Sequence, residues 1–206
     1  VPQKRERLII VGIRKDIDLE FCYPQPQKRV YTTSDALKKG ELFNSDVPLS
    51  PGAKYPKRKK EILDLIPQGG YWRDLPLKLQ KEYMQKSFYL GGGKTGIARR
   101  ISWNEPCLTL TCSPAQKQTE RCHPEETRPF SVREYARIQT FPDNWKFQGS
   151  INQQYKQIGN AVPVNLAKEI GLSIVAFLNN YHAVVNEPVA YYKTQNRKTK
   201  GISKKR

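Results

Sequence analysis

Four possible metal ligands, Cys107, Cys112, Cys122 and His123, fall within seventeen residues. Their spacing, C-x4-C-x9-C-H, lacks the C-x2-C or H-x3-H pairs of structural zinc sites, so no metal is expected. GGGKTG at 91–96 has the flavour of a phosphate loop, but the first glycine of G-x-x-x-x-G-K-[ST] would fall at position 88, which is Phe88. A glycine loop whose bare backbone can approach a DNA phosphate is the better reading. The sequence has no G-x-S-x-G and no clustered carboxylate pair, and His182 stands alone near a helix end. By local chemistry alone this is a basic binding protein.

The elements that must position these residues are unevenly marked. Leu8–Arg14 reads as a short apolar strand of the kind buried in an α/β sheet. Residues 17–56 are rich in Pro, Lys and polar groups and read as mostly irregular. Lys57–Ile66 has Ile62, Leu65 and Ile66 at helical spacing, ended by Pro67 and Gly69-Gly70, and its basic run Lys57–Lys60 reads as a solvated first turn. From 87 to 123, short β-type runs between Gly, Ser and Pro turns suggest a small β-rich domain. Two helices follow. In SVREYARIQTF, Ser131 and Glu134 make a capping box. In GNAVPVNLAKEIGLSIVAFLNN, Asn160 can cap, Pro163 fits the first turn, and Val164, Ala167, Gly171, Ile174, Val175 and Leu178 form one apolar stripe that needs covering.

Composition narrows the partners. The 206 residues carry 36 Lys and Arg against 19 Asp and Glu, for a net charge of +17. Residues 191–206 hold seven of these cations and no acid, yet 29 cations against 19 acids remain without them. A basic body of this kind points to a polyanion, most simply nucleic acid. No apolar run reads as long enough to span a membrane and nothing resembles a secretory leader, so a soluble, cytoplasmic protein with reduced cysteines is expected.

Three stretches read together are more specific. VPQKRERLIIVGIRKD (1–16) resembles the Q-x-R-x-R segment, motif VIII, of the cytosine-5 DNA methyltransferases; TRPFSVREYARIQTFPDNW (127–145) resembles their motif IX; QYKQIGNAVPVNLAKEIG (154–171) resembles motif X. Between the first two lies a variable stretch in which RRISWNEPCLTLT (99–111) resembles the W-[DN]-E-P-x-x-T-[LV] signature of bacterial target recognition domains. The resemblance implies an α/β fold: the carboxy-terminal part of a Rossmann-like, S-adenosylmethionine-dependent methyltransferase domain plus a small β-rich target recognition domain. The implied division is 1–16 with motif VIII, 17–126 with a recognition core at about 68–124, 127–182 with motifs IX and X, and a basic, flexible tail at 183–206.

The resemblance also implies roles. Arg5 and Arg7 would hold a flipped cytosine, one at the base O2 and the other at a phosphate. Arg133, Tyr135 and Arg137 would brace the recognition domain. Asn160, Ala161 and Val162 would close the pocket for S-adenosylmethionine, aided by donors at the amino terminus of the following helix. Arg99, Arg100, Gln116, Gln118 and Arg121 are the candidates for contacting double-stranded DNA, because Arg can grip guanine and Gln adenine through paired hydrogen bonds.

The family's nucleophile in Pro-Cys-Gln, its Glu-Asn-Val glutamate and its Phe-x-Gly-x-Gly cofactor loop do not occur in this sequence. Pro106-Cys107 continues as Leu108 and falls inside the recognition signature. The expectation is therefore the carboxy-terminal part of a restriction-modification methyltransferase. It would be inactive alone and partnered by an amino-terminal half carrying motifs I to VI, with no membrane partner. The alternative is a DNA-binding module or relic without catalysis.

Overall fold

The computed structural model describes residues 1–186, with side-chain surroundings through residue 183. The tail expected at 183–206 lies almost wholly outside the described residues. Two compact units divide the chain: Val1–Arg7 with Pro26–Ala167, and Leu8–Gln25 with the chain from Lys168 onward.

The first unit is built from short elements. Strand β1 (Gln3–Lys4) is followed by helices α1 (Thr33–Leu37), α2 (Lys57–Asp64) and α3 (Leu77–Met84). Strand β2 (Cys107–Leu108) and helices α4 (Val132–Ile138) and α5 (Ile151–Asn160) complete it, and α6 (Val164–Asn186) begins in it. Among the described residues the sheet is one parallel pair, with Gln3 opposite Cys107 and Lys4 opposite Leu108. The β-rich domain expected over 87–123 is therefore not found. That stretch holds β2, 3-10 turns and isolated bridges, and its amides are satisfied by scattered backbone carbonyls and, at Ala98, Leu110 and Thr111, by side chains.

Side-chain caps fix where helices start. Ser131 accepts from the Glu134 amide while the Glu134 carboxylate accepts from the Ser131 amide, as the S-x-x-E spacing predicts. Ser150 and Gln153 do the same for α5, a helix the sequence reading missed. Helix α2 runs as expected from Lys57 but buries Ile62 and Leu63 with Ile66, leaving Leu65 exposed. Of its basic first turn, Lys59 turns inward to Glu120 and to the Ala115 carbonyl at 3.0 Å.

Two apolar clusters hold this unit. One gathers α1, α4 and α5 around Leu110, Phe130, Tyr135, Tyr155 and Ile158. The other packs α2 and α3 around Leu63, Trp72, Met84 and Ile97. Arg100 joins them, donating to the Leu63 carbonyl and to the Thr127 hydroxyl, both at 2.8 Å.

In the second unit the strand expected at Leu8–Arg14 does not form: Leu8 is 86% and Ile10 80% exposed. A strand of this kind needs neighbours on both edges, and none is present among the described residues. The stripe on α6 is present as expected, but Leu172, Ile174, Val175 and Leu178 are exposed, while Phe21 lies 6.1 Å from the Phe177 ring. The helical stretch Ile151–Ala183 contains a segment long and apolar enough to cross a membrane by length and composition, which corrects the sequence expectation.

Candidate functional site

Residues from four separate parts of the chain meet at Leu110. The Leu110 amide donates to Gln3 Oε1 at 2.9 Å, and Gln3 Nε2 donates to Gln139 Oε1 at 3.0 Å. Gln139 Nε2 then donates to the Ile158 carbonyl at 2.9 Å. Gln3 and Gln139 are both buried, so each amide group needs its partner inside the protein.

Arg5 extends this contact. Its Nη1 donates to the Leu110 carbonyl at 3.1 Å and to the Gly159 carbonyl at 3.2 Å. Partial burial lowers its pKa from the usual arginine value, with the nearby Arg7 charge adding to the effect. Arg7 behaves differently: it is exposed and, among the described residues, donates only to the neighbouring Glu6 carbonyl, at 2.6 Å. Strand β1 ends before either arginine, so the two do not share one strand face as their spacing suggested.

The segment 109–112 has its backbone held almost entirely by side chains. Arg121 donates to the Thr109 carbonyl at 2.6 and 3.1 Å. The buried Tyr135 hydroxyl accepts from the Thr111 amide at 3.0 Å and donates to the Thr111 carbonyl at 2.9 Å. Gly159 packs so tightly here that a Cβ would stand 2.3 Å from the Thr111 oxygen and 2.9 Å from the Cys112 nitrogen.

Asn160, Ala161 and Val162 follow this contact. Asn160 is the last residue of α5 rather than a cap of α6, and its Oδ1 accepts from the Cys112 thiol at 3.2 Å. Asn160 and Val162 are exposed, and the Ala161 amide is engaged with the Ile158 carbonyl at 3.2 Å. Donors expected at the start of α6 are also partly engaged. Val164 donates to the Gln139 carbonyl at 3.0 Å and Asn165 to the Thr140 hydroxyl at 2.9 Å. Thr140 adopts φ +60°, costly for a β-branched residue, and its hydroxyl bond to the Gln139 carbonyl at 2.7 Å helps offset the strain.

The five DNA-contact candidates separate. Gln116 and Gln118 are exposed on either side of Lys117, at a 3-10 turn over Lys117–Thr119. Arg99 is half-buried, its guanidinium 5.9 Å from the Tyr71 ring centre. Arg100 and Arg121 are each only 4% exposed. Arg100 is committed to Leu63, Thr127 and His123, and Arg121 to Thr109 and Glu120. Both guanidiniums therefore tie neighbouring segments of the fold together, although Arg100 Nε has no partner among the described residues.

Arg137 is fully buried, pairing with both oxygens of Asp143 and donating to the Ser45 and Asp46 carbonyls. Arg133 donates to the Pro142 and Trp145 carbonyls. Both tie α4 to its surrounding loops, while Tyr135 ties it to Thr111.

The cysteines do not gather. Cys107 is fully buried, and burial pushes its thiol up to about 12, which leaves almost no thiolate near neutrality. His123 Nδ1 accepts from the amides of Glu125 and Glu126, and no metal-binding cluster occurs among the described residues.

A helix-capped scaffold that joins a glutamine-bearing loop to a buried Gly159 and the exposed Asn160 and Val162 beyond it has close counterparts. The chain belongs to the C-5 cytosine-specific DNA methylase family, whose profile matches residues 1–176. It is 67% identical over 181 residues to the Type II methyltransferase M.Eco47II of Escherichia coli, covering 87% of this chain and 43% of that protein. M.PspPI of Psychrobacter sp. (strain TA137) is 66% identical over 181 residues, with 87% and 44% covered. M.Sau96I of Staphylococcus aureus is 59% identical over 184 residues, with 88% and 42% covered. The chain thus spans less than half the length of these curated relatives.

Proposed function

We propose that this chain forms the target-recognition and carboxy-terminal part of a cytoplasmic DNA (cytosine-5-)-methyltransferase of a Type II restriction-modification system. In this reading residues 1–16, 127–145 and 154–171 are motifs VIII, IX and X, and about 68–124 is the recognition core. The observation that carries it is the meeting of Gln3, Leu110, Gln139 and Ile158, which ties those three motifs and the recognition core in one buried hydrogen-bond chain. A reader of DNA alone has no use for such a link to the Gly159–Val162 turn.

Within this reading Arg7, exposed and free of a carboxylate partner among the described residues, reaches the flipped cytidine or its phosphate. Gln116, Gln118 and Arg99 meet base edges or backbone. The Asn160 side-chain amide is exposed and, among the described residues, has only its oxygen engaged, by Cys112; its donors are free for the cofactor carboxylate, with the extended backbone of Ala161 and then Val162 beside it. These residues fit S-adenosylmethionine, which would supply the methyl group for cytosine C5. Attack on C6 needs a thiolate, and Cys107 is too deeply buried to serve. The nucleophile, the glutamate and the cofactor loop come from a segment carrying motifs I to VI, on the same or a separate polypeptide. That segment also completes the α/β sheet and covers the α6 stripe. The family match extends to residue 176, well into α6, which favours a protein sheet over a membrane as its covering.

Transfer of labelled methyl groups from S-adenosylmethionine to duplex DNA tests this. Activity is expected only when the chain is joined by a polypeptide carrying motifs I to VI. DNA binding without activity in that mixture would instead support a reader or relic.

A further inference from the structure

We propose that Arg5 is a positioning residue that couples DNA reading to cofactor binding, an inference that rests on the function proposed above. A single nitrogen, Nη1, serves two backbone carbonyls from distant parts of the chain, Leu110 at 3.1 Å and Gly159 at 3.2 Å. Leu110 leads through Thr111 and Cys112 to the exposed Gln116–Gln118 turn. Gly159 immediately precedes Asn160, Ala161 and Val162. Whatever moves one carbonyl therefore changes a charge-assisted hydrogen bond to the other.

Three further features make this bridge a coupling element. The two segments touch directly, since a Cβ on Gly159 would be 2.3 Å from the Thr111 oxygen. They are linked again at their next residues, where the Cys112 thiol donates to Asn160 Oδ1 at 3.2 Å. Among the described residues the Leu110–Thr111 backbone is otherwise held by side chains (Gln3 and Tyr135), with no ladder of strand bonds to lock it. A displacement at the DNA-facing turn can then reach the Gly159 carbonyl through one guanidinium. Arg5 also has no carboxylate partner among the described residues, so its hold depends on where these two carbonyls stand.

The test is the binding of S-adenosylhomocysteine to the complemented enzyme, by equilibrium dialysis, with and without a duplex carrying the sequence it methylates. Wild type is expected to bind S-adenosylhomocysteine about tenfold more tightly with the duplex present. In Arg5→Met that factor should fall close to one. Arg5→Lys, which keeps the charge and donors for both carbonyls, should recover part of it. In this chain alone, Cys112 labelling by a small thiol reagent should quicken several-fold relative to Cys22 in Arg5→Met, with buried Cys107 and Cys122 unlabelled as proof of folding. A factor that persists in Arg5→Met, or is absent in wild type, overturns the coupling. A mixture that binds no S-adenosylhomocysteine overturns the parent reading, and a labelling ratio that still rises then leaves Arg5 a purely structural tie.

Discussion

Gln3 and Gln139, separated by 136 residues in sequence, are joined by a buried side-chain hydrogen bond of 3.0 Å. Each glutamine uses its other amide atom to hold a backbone group, the Leu110 amide and the Ile158 carbonyl respectively. Truncating either one strands a buried partner. Gln3→Ala and Gln139→Ala should each cost about 1–3 kcal/mol in urea denaturation. The double variant should cost less than the sum, because both remove the same contact.

Gly159 is fixed by the closeness of the Thr111–Cys112 backbone, which leaves no room for a methyl group. Gly159→Ala should destabilise by roughly 1–3 kcal/mol through overpacking. Gly171, in α6, has nothing within 4 Å of the corresponding position. Gly171→Ala should raise stability by about 0.5–1 kcal/mol from reduced backbone entropy alone. Opposite signs in thermal melts of the two variants are the expected result.

The exposed and buried members of the DNA-contact set should respond differently. Gln116→Ala and Gln118→Ala should leave the melting temperature unchanged and lower discrimination between cognate and random duplex by about 1–3 kcal/mol for a base-reading side chain. Being neutral, they should not alter the salt slope of binding. Arg100→Ala and Arg121→Ala should instead destabilise by roughly 3 kcal/mol, since each strands two carbonyl acceptors. Titrations at several salt concentrations beside denaturation curves separate the two classes.

Acid should weaken the start of α4 through Glu134. Burial acts to raise its pKa, but the two Arg128 hydrogen bonds and the Ser131 amide outweigh it and hold the pKa below the ordinary glutamate value of 4.5. The folded state therefore binds this proton more weakly than the unfolded chain. Its contribution is fully present above 4.5 and is lost as the pH falls through the lower folded value. Glu134→Gln should flatten that part of the stability profile, below the ordinary glutamate value of 4.5.

Local signals carried through where one segment contained the whole cause. Ser131 and Glu134 mark α4, and the apolar stripe marks α6. Ser150, Gln153, Tyr155 and Ile158 carried the same kind of signal for α5, a cap followed by helical spacing. Non-local causes were illegible. Nothing near Arg100 announces that its acceptors lie on Leu63 and Thr127, nor does Cys107–Leu108 reveal that its strand partner is Gln3–Lys4. Leu8–Arg14 reads as a buried strand, but burial requires neighbouring strands that the described residues lack.

The most direct test of the central claim is a map of 5-methylcytosine in the DNA of cells that co-express this chain with a segment carrying motifs I to VI. Methylated cytosines should appear in one short sequence context, only when both are present, and Gln116→Ala with Gln118→Ala should relax or erase that context. Well-expressed partners that leave the DNA unmethylated, or a methylation context indifferent to this chain, would contradict the assignment.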